Sequence, residues 1–258
     1  MTAEDPAALA HHDRGPRAGD LLVLVHGFTQ TARCWGPFDD ALAASHRLRL
    51  VDAPGHGASG HANADLAAAA HLLGTTGGRA TYVGYSMGGR IALQLALDTP
   101  ELVGRLVLIG ASPGIADAGE RTTRRAHDDT LARRLETIGV VAFVEEWLAR
   151  PMFAGLGPEA AHRRERLHNT AAGLAASLRA LGTGSQEPVW DRLANLTMPV
   201  LLVAGAHDHK FAEIADHMRA RIGANAEVAL VEHAGHTAHL EQPDRTAKAV
   251  LAWLRRTR

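Results

Sequence analysis

Thr81-Tyr-Val-Gly-Tyr-Ser-Met-Gly-Gly-Arg90 is the stretch on which the fold turns. Gly84-Tyr85-Ser86-Met87-Gly88 fits G-x-S-x-G, a sharp strand-to-helix turn that lifts a serine hydroxyl to the top of a sheet. Small residues flank such a serine because strand and helix leave no room for larger ones and the turn is strained. The flanks agree with this reading: Ala80–Val83 is short and strand-like, and Met87–Leu97 is an apolar helix.

Working outward, Leu21–Val25 is a continuous apolar run of the kind that forms a buried parallel strand, and it ends at His26-Gly27-Phe28. Thr29–Asp40 reads as a loop entering a helix. Arg47–Val51 is a second strand, closed by Asp52-Ala-Pro-Gly-His-Gly-Ala-Ser-Gly60. A helix over Asp65–Leu73 and a turn over Gly74–Arg79 lead into the elbow strand, and Arg105–Ile109 is the next strand. After Val200–Ala204 (strand), Lys210–Ile222 (helix), Glu227–Val231 (strand) and Asp244–Arg255 (helix), the alternation is complete. Strands alternating with helices give a mostly parallel central sheet with helices on both faces. Between Ile115 and about Trp190 no strand-like run occurs, only amphipathic helical stretches rich in arginine. The expected organisation is therefore a core of residues 1–111 and 191–258 with an inserted helical cap over 112–190. Residues 1–20 read as short edge strands or a loose arm.

Composition narrows the function classes. The 258 residues are 46% hydrophobic and 21% charged, ordinary for a chain that buries a sizeable core. A formal net charge of −1 gives no electrostatic reason to expect nucleic acid or a membrane surface as partner. The single cysteine, Cys34, excludes an internal disulfide and fits a reducing compartment. No apolar run approaches the ~20 residues of a membrane span, and the first 20 residues lack the apolar core of a signal peptide. A soluble, cytoplasmic protein is the expectation.

A serine hydroxyl needs an imidazole to take its proton, and the imidazole needs an acid to hold its tautomer. With a G-x-S-x-G elbow, the chain order is Ser, acid, His, the last two on loops after late strands. Gly205-Ala-His-Asp208-His-Lys-Phe211 and His233-Ala-Gly-His236-Thr-Ala-His-Leu-Glu241 are those loops. Ser86, Asp208 and His236 are thus the expected catalytic triad, and the fold is an α/β-hydrolase fold. Backbone N–H groups of Met87, after the serine, and of Phe28, in the loop after the first core strand, are the expected oxyanion donors. Alone, Asp208 would read as a turn residue and His236 as an ordinary core or surface histidine; the four loops in register decide otherwise. Two other patterns fail. Gly55-His-Gly57-Ala-Ser-Gly60 fits G-x-G-x-x-G, but residues 75–82 hold no acid to bind a ribose. His207, Asp208, His209, His233, His236 and His239 form no recognisable zinc ligand set.

The whole pattern resembles the 2-succinyl-6-hydroxy-2,4-cyclohexadiene-1-carboxylate synthases (MenH) of menaquinone biosynthesis. The likeness runs from about residue 20 to 250, through His26-Gly-Phe with Trp35, Asp52-Ala-Pro-Gly-His-Gly57 and Val83-Gly-Tyr-Ser-Met-Gly-Gly-Arg90. It continues in Pro113-Gly-Ile, Glu120-Arg-Thr-Thr-Arg124, Glu146-Trp147, Pro151-Met-Phe-Ala154, Asp208-His-Lys-Phe211 and Ala234-Gly-His-Thr-Ala-His239. Met87 stands where leucine is common in that family. The resemblance implies a lyase that eliminates pyruvate from a tricarboxylate without metal or cofactor, Ser86 acting as base. It also implies Arg90 and Arg124 as carboxylate clamps, Arg166 as a third, and Tyr85, Trp147 and Lys210 as pocket walls; arginine offers carboxylates a planar bidentate fork. Composition by itself argues for solvated helix faces, since residues 112–190 hold ten arginines and ten acids. The alternative is a serine hydrolase of the same fold, an esterase or a carbon–carbon bond hydrolase, because the triad alone does not separate them. A non-catalytic binding protein on this fold would usually have lost a triad member. Oligomeric state is not legible.

Overall fold

A computed structural model of the chain describes residues 8–257. Its centre is a seven-stranded sheet built from β1 (His11–Arg14), β2 (Leu21–Val25), β3 (Arg47–Val51), β4 (Ala80–Tyr85), β5 (Val103–Ile109), β6 (Val200–Gly205) and β7 (Ala226–Val231). The spatial order is β1-β3-β2-β4-β5-β6-β7. Only the β1–β3 pairing is antiparallel. β1 is the part of the N-terminal arm that the sequence left unplaced; residues 1–7 lie outside the described residues. Its sequence, His-His-Asp-Arg, carries no apolar alternation because it is an edge strand, tied down by the Arg49 guanidinium on the Asp13 carboxylate at 2.8 and 2.9 Å.

The apolar strands are buried on both faces, which is why they read as continuous runs. In β2, Leu22 and Leu24 join one core with Leu48, Leu50, Val107 and Val203, while Val23 and Val25 join the other with Tyr82, Leu106 and Leu202. The first core is covered by α1 (Pro37–Ala43) and α9 (Pro243–Arg256), the second by α2 (Leu66–Gly77), α3 (Met87–Asp98) and α7 (His209–Ile222). α2 corrects the sequence reading at its end. Asp65 caps it, accepting the Ala68 N–H at 2.9 Å, but the helix runs on to Gly77 instead of stopping at Leu73. Thr75-Thr76-Gly77 resembles a turn locally. In the fold, the Thr76 hydroxyl bonds back to Leu72 O and accepts the Leu9 N–H, which holds the last turn helical.

Between β5 and β6 the chain is helical. α4 (Ala118–Leu148) is broken at Gly139 (φ 76°, ψ 170°), and is followed by the single turn α5 (Arg163–Arg166) and by α6 (Ala171–Leu181). α4 and α6 share a third apolar cluster of Ala132, Leu135, Phe143, Trp147, Phe153, Leu174 and Leu178, against which Phe28 of the β2 loop also packs. The short α8 (Ala238–Glu241) precedes α9. No helix among the described residues is long and apolar enough to cross a membrane.

Candidate active site

The elbow is as tight as its composition requires. Ser86 sits between β4 and α3 at φ 50°, ψ −109°, a strained conformation for a side-chain-bearing residue, with its N–H held by Ile109 O at 2.8 Å. A Cβ on Gly84 would stand 2.5 Å from Gly89 Cα, and one on Gly88 would strike the Val25 carbonyl. Only glycines let β4, α3 and the end of β2 approach this closely.

The ends of β6 and β7 deliver the other two groups. His236 Nδ1 lies 2.7 Å from Asp208 Oδ2, and His236 Nε2 lies 3.2 Å from Ser86 Oγ. A carboxylate only accepts, so Nδ1–H donates to Asp208 and Nε2 is left facing the serine hydroxyl. Asp208 also caps α7, accepting the Phe211 N–H at 3.4 Å. Glu241, which sequence reasoning passed over, fixes the histidine loop from below. Its carboxylate accepts the N–H groups of Gly235 (2.8 Å) and Thr237 (3.1 Å) and the Thr237 hydroxyl (2.6 Å), gripping the residues on either side of His236.

Two buried histidines set the loops that carry Phe28. His26 accepts the Ala53 N–H on Nε2 at 3.1 Å, so Nδ1–H donates to Gly27 O at 2.8 Å. His56 accepts the Thr29 N–H at 3.3 Å and bonds Pro54 O at 3.0 Å through its other nitrogen. Burial depresses both, His26 to about 4 and His56 to about 3, so both rings are neutral at pH 7. The glycines of Asp52–Gly60 therefore serve a short turn (Gly57–Ser59) pinned by Asp52 and Asn169, and they do not open a helix: α2 starts at Leu66. Asn169 is a second residue the sequence did not mark. It accepts the Gly57 N–H and donates to Thr29 O, both at 2.8 Å, joining the helical segment to the loop beside the serine.

A cavity of about 1000 Å³ opens above the serine. Its wall contains Ser86, Asp208 and His236 together with Phe28, Met87, Arg90, Arg124, Trp147 and Lys210. Among the described residues, no backbone group engages the N–H of Phe28 or of Met87. Arg90 is buried to 7% exposure, its guanidinium donating to Leu181 O at 2.5 Å and Gln186 Oε1 at 3.1 Å. It forms no ion pair among the described residues, and burial, assisted by the neighbouring Arg124, pushes it down to about 10. Arg124 is half-exposed and spends one face on Asp128 at 2.8 Å. Trp147 stands edge-on to Phe28 with centroids 5.0 Å apart, and Arg150 stacks over its ring at 4.4 Å. Lys210 is exposed at the cavity rim.

Two expected pocket residues, the third clamp Arg166 and the wall residue Tyr85, are elsewhere, which corrects the reading of both. Arg166 is 1% exposed and does not reach the cavity: its guanidinium bonds Ala161 O at 2.8 Å and the Thr29 hydroxyl, so it braces loops. Tyr85 points under the triad, its ring 4.4 Å from His239 and 5.6 Å from His236, inside the β-sheet core. The residue before an elbow serine ends a strand whose side chains alternate faces, and here the face is the inner one. Cys34 is buried, takes no part in the cavity wall, and burial raises its thiol. Among the described residues, no three His, Cys, Asp or Glu side chains are grouped so as to hold a metal ion.

Comparison with known proteins agrees with this geometry. Residues 22–249 match the model of the alpha/beta hydrolase family. A putative 2-succinyl-6-hydroxy-2,4-cyclohexadiene-1-carboxylate synthase of Bacillus subtilis is 35% identical over 98% of this chain and 97% of its own. The chain belongs to this synthase family. A synthase of the same name from Klebsiella pneumoniae is 33% identical over 90% of this chain and 92% of its own. In three dimensions the chain is similar to MenH from S. aureus, with TM-score 0.87, 30% identity, and 96% and 98% of the two chains covered. It is also similar to a thermophilic esterase from Thermogutta terrifontis, with TM-score 0.76 and 26% identity over 96% and 93%. The synthase family and hydrolytic enzymes thus share this scaffold, and the cavity chemistry has to separate them.

Proposed function

We propose that this chain eliminates pyruvate from 2-succinyl-5-enolpyruvyl-6-hydroxy-3-cyclohexene-1-carboxylate to give 2-succinyl-6-hydroxy-2,4-cyclohexadiene-1-carboxylate, a step of menaquinone biosynthesis. Membership of the synthase family supports the reaction. The observation that carries the substrate class is Arg90, a buried guanidinium in the cavity wall with no carboxylate of its own. A desolvated cation needs an anionic partner, and a polycarboxylate supplies it. A neutral ester does not. In this reading, residues 112–190 form a cap inserted between the core halves 1–111 and 191–258, and Arg124 and Trp147 are the cap's contribution to the pocket.

The triad then works as a base. His236 Nε2, 3.2 Å from Ser86 Oγ, withdraws the hydroxyl proton, and the Ser86 oxygen removes a proton from the carbon beside the succinyl ketone. Electrons move toward the ketone oxygen, whose developing charge is received by the Phe28 and Met87 N–H groups, an arrangement worth about 3–4 kcal/mol per lost donor in comparable sites. The electron pair then expels the enolpyruvyl oxygen, which takes the proton back from the imidazolium and collapses to pyruvate. Asp208 keeps His236 in the required tautomer throughout. No covalent intermediate on Ser86 is formed.

Pyruvate release coupled to NADH oxidation tests this directly, with p-nitrophenyl acetate run beside it. Elimination is expected to dominate in the wild type and to be abolished in Ser86→Ala. Strong ester cleavage without pyruvate would transfer the protein to the serine hydrolases.

A further inference from the structure

Helix α7 has three faces of different chemistry. Ala215, Met218 and Ile222 are buried in the core. Glu213, Asp216 and Arg219 are exposed, with Asp216 and Arg219 paired at 4.0 Å. The third face is Lys210, Ile214, His217 and Arg221, spaced by four, three and four residues, and all four line the cavity above Ser86. At 1.5 Å per residue this stripe runs about 16 Å from the triad toward the far end of the helix. The helix thus sorts its charge by face: the acids point away from the cavity and three nitrogen-bearing side chains point into it. Among the described residues none of the three forms an ion pair. Arg221 has its guanidinium spread over the Trp190 ring, 5.0 Å from the centroid, and Trp190 itself is held by donating to Gly114 O at 2.9 Å.

A cation at a helix C-terminus is favourable without any ligand, and that accounts for Arg219 and Arg221 alike. It does not account for the alignment of Arg221 with His217 and Lys210, nor for the absence of acids on that face. The cavity's other acids are Asp117, Glu120 and Asp191, and Asp208 is already engaged by His236. Asp117 accepts the Glu120 N–H as the cap of α4. With Arg166 turned inward, Arg90 and Arg124 are the only two arginines of the three expected clamps that face the cavity. Arg150, stacked over Trp147, also lines the cavity, so a third carboxylate of the substrate has that arginine and the α7 face as its cationic neighbours.

We infer that the α7 wall, with His217 and Arg221 as its outer members and Lys210 as its inner one, is an anion subsite that receives a carboxylate of the polycarboxylate substrate as it approaches Ser86. The inference rests on the polycarboxylate reading above. The Trp190 ring preorganises the Arg221 fork, which lowers the entropy lost on binding. Because the groups are exposed, the subsite acts mainly on affinity and on its salt dependence, and little on the chemical step.

The test separates the two readings. Wild-type pyruvate release judges the reaction, whereas the subsite is read by binding propane-1,2,3-tricarboxylate, which does not turn over. Trp147 and Trp190 both line the cavity, so intrinsic tryptophan fluorescence reports occupancy. In about 10 mM salt, where the screening length is about 30 Å, His217→Gln/Arg221→Gln is expected to bind about fivefold or more weakly than wild type. The gap should close near 1 M salt, where the length is about 3 Å. Arg221→Lys, which keeps the charge, should recover most of the affinity, and Arg219→Gln on the solvent face should bind as wild type does. With substrate, the double variant should raise KM by a similar factor while kcat moves less than about twofold. Wild-type affinity in the double variant overturns the inference. So does equal weakening in Arg219→Gln, which would reduce the effect to net charge, or a fall in kcat at unchanged KM.

Discussion

Arg90→Met is the substitution that most directly separates a ligand-binding arginine from a structural one. Burial and the neighbouring Arg124 lower the Arg90 guanidinium to about 10, a cost of about 3 kcal/mol against the charged form in the folded protein. The sign follows from the direction: a base whose folded value is depressed destabilises the fold while charged, so at pH 7 the whole cost is present and it is relieved only above about pH 10. Against this stand two hydrogen bonds, to Leu181 O and Gln186 Oε1; with neutral acceptors each lies at the low end for a charged donor, about 1.5–2 kcal/mol. The two sides nearly cancel. Arg90→Met should therefore leave the ligand-free Tm within about 4 °C of wild type, at roughly 2–4 °C per kcal/mol for a chain of this size. The ligand response should change far more. At one hundred times Kd a tricarboxylate stabilises the wild type by about 2.7 kcal/mol. Losing a charge-assisted contact of about 2 kcal/mol weakens binding about thirtyfold, and at the same concentration the stabilisation drops to about 0.9 kcal/mol. Thermal melts of both proteins with and without propane-1,2,3-tricarboxylate measure each quantity. A variant that melts 10 °C lower yet keeps the full ligand shift would show that Arg90 is a brace between α3 and the Leu181–Gln186 segment, and the polycarboxylate argument would lose its central support.

Three further outcomes follow from the geometry. Since His26 and His56 are depressed to about 4 and about 3, the unfolded chain binds their protons first as pH falls below 6.5; stability should drop by about 2 kcal/mol for each between pH 7 and pH 5. Urea unfolding across that range measures the slope, and His56→Gln should flatten it by about one proton; an unchanged slope would mean that the ring is solvated and charged. Gly88→Ala drives a methyl into the Val25 carbonyl and should cost more than about 3 kcal/mol, read as loss of folded protein by circular dichroism, whereas Gly157→Ala, with open space around it, should be silent. Asp208→Asn keeps the cap on α7 but frees His236 to take the wrong tautomer, so pyruvate release should fall by about 10⁴ with Tm nearly unchanged; retention of more than a tenth of the activity would remove Asp208 from the mechanism.

What the sequence disclosed and what it hid divide along a physical line. β2 occupies the residues its apolar run predicts, because a parallel strand buried on both faces leaves an uninterrupted signature, and β3, Arg-Leu-Arg-Leu-Val, lies at the expected residues with its leucines buried and its arginines half-buried. The elbow is equally legible: the steric demands on Gly84 and Gly88 are local, so they appear as small letters around one serine. Side-chain direction is another matter. Whether Arg166 faces the cavity depends on Thr29, 137 residues away, and whether Tyr85 faces it depends on the aromatic packing of Trp35, Phe38 and His239 beneath the sheet. No local pattern encodes either. The same holds for Asn169 and Glu241, ordinary polar residues in sequence that become the ties holding Gly57 and the His236 loop.

This division explains why hydrolase and lyase readings stay close in the sequence and part in the structure. The triad is made of local motifs, and any member of the fold can display them. Substrate class is written in the unpaired charges of the cavity wall, and those emerge only when distant segments meet. Arg90 leaves the elbow helix and finds Leu181 and Gln186, about ninety residues on, yet no acid within ion-pair distance among the described residues, Asp128 acting on it only from farther off. Arg124 is half-spent on Asp128, and the cavity face of α7 brings Lys210, His217 and Arg221 with no acid beside them on that face. A neutral ester would leave the buried Arg90 guanidinium unanswered, at a cost that hydrolysis of such an ester gives no reason to carry. Ser86 can attack or abstract; the charges around it select the anion, and with it the proton that is taken.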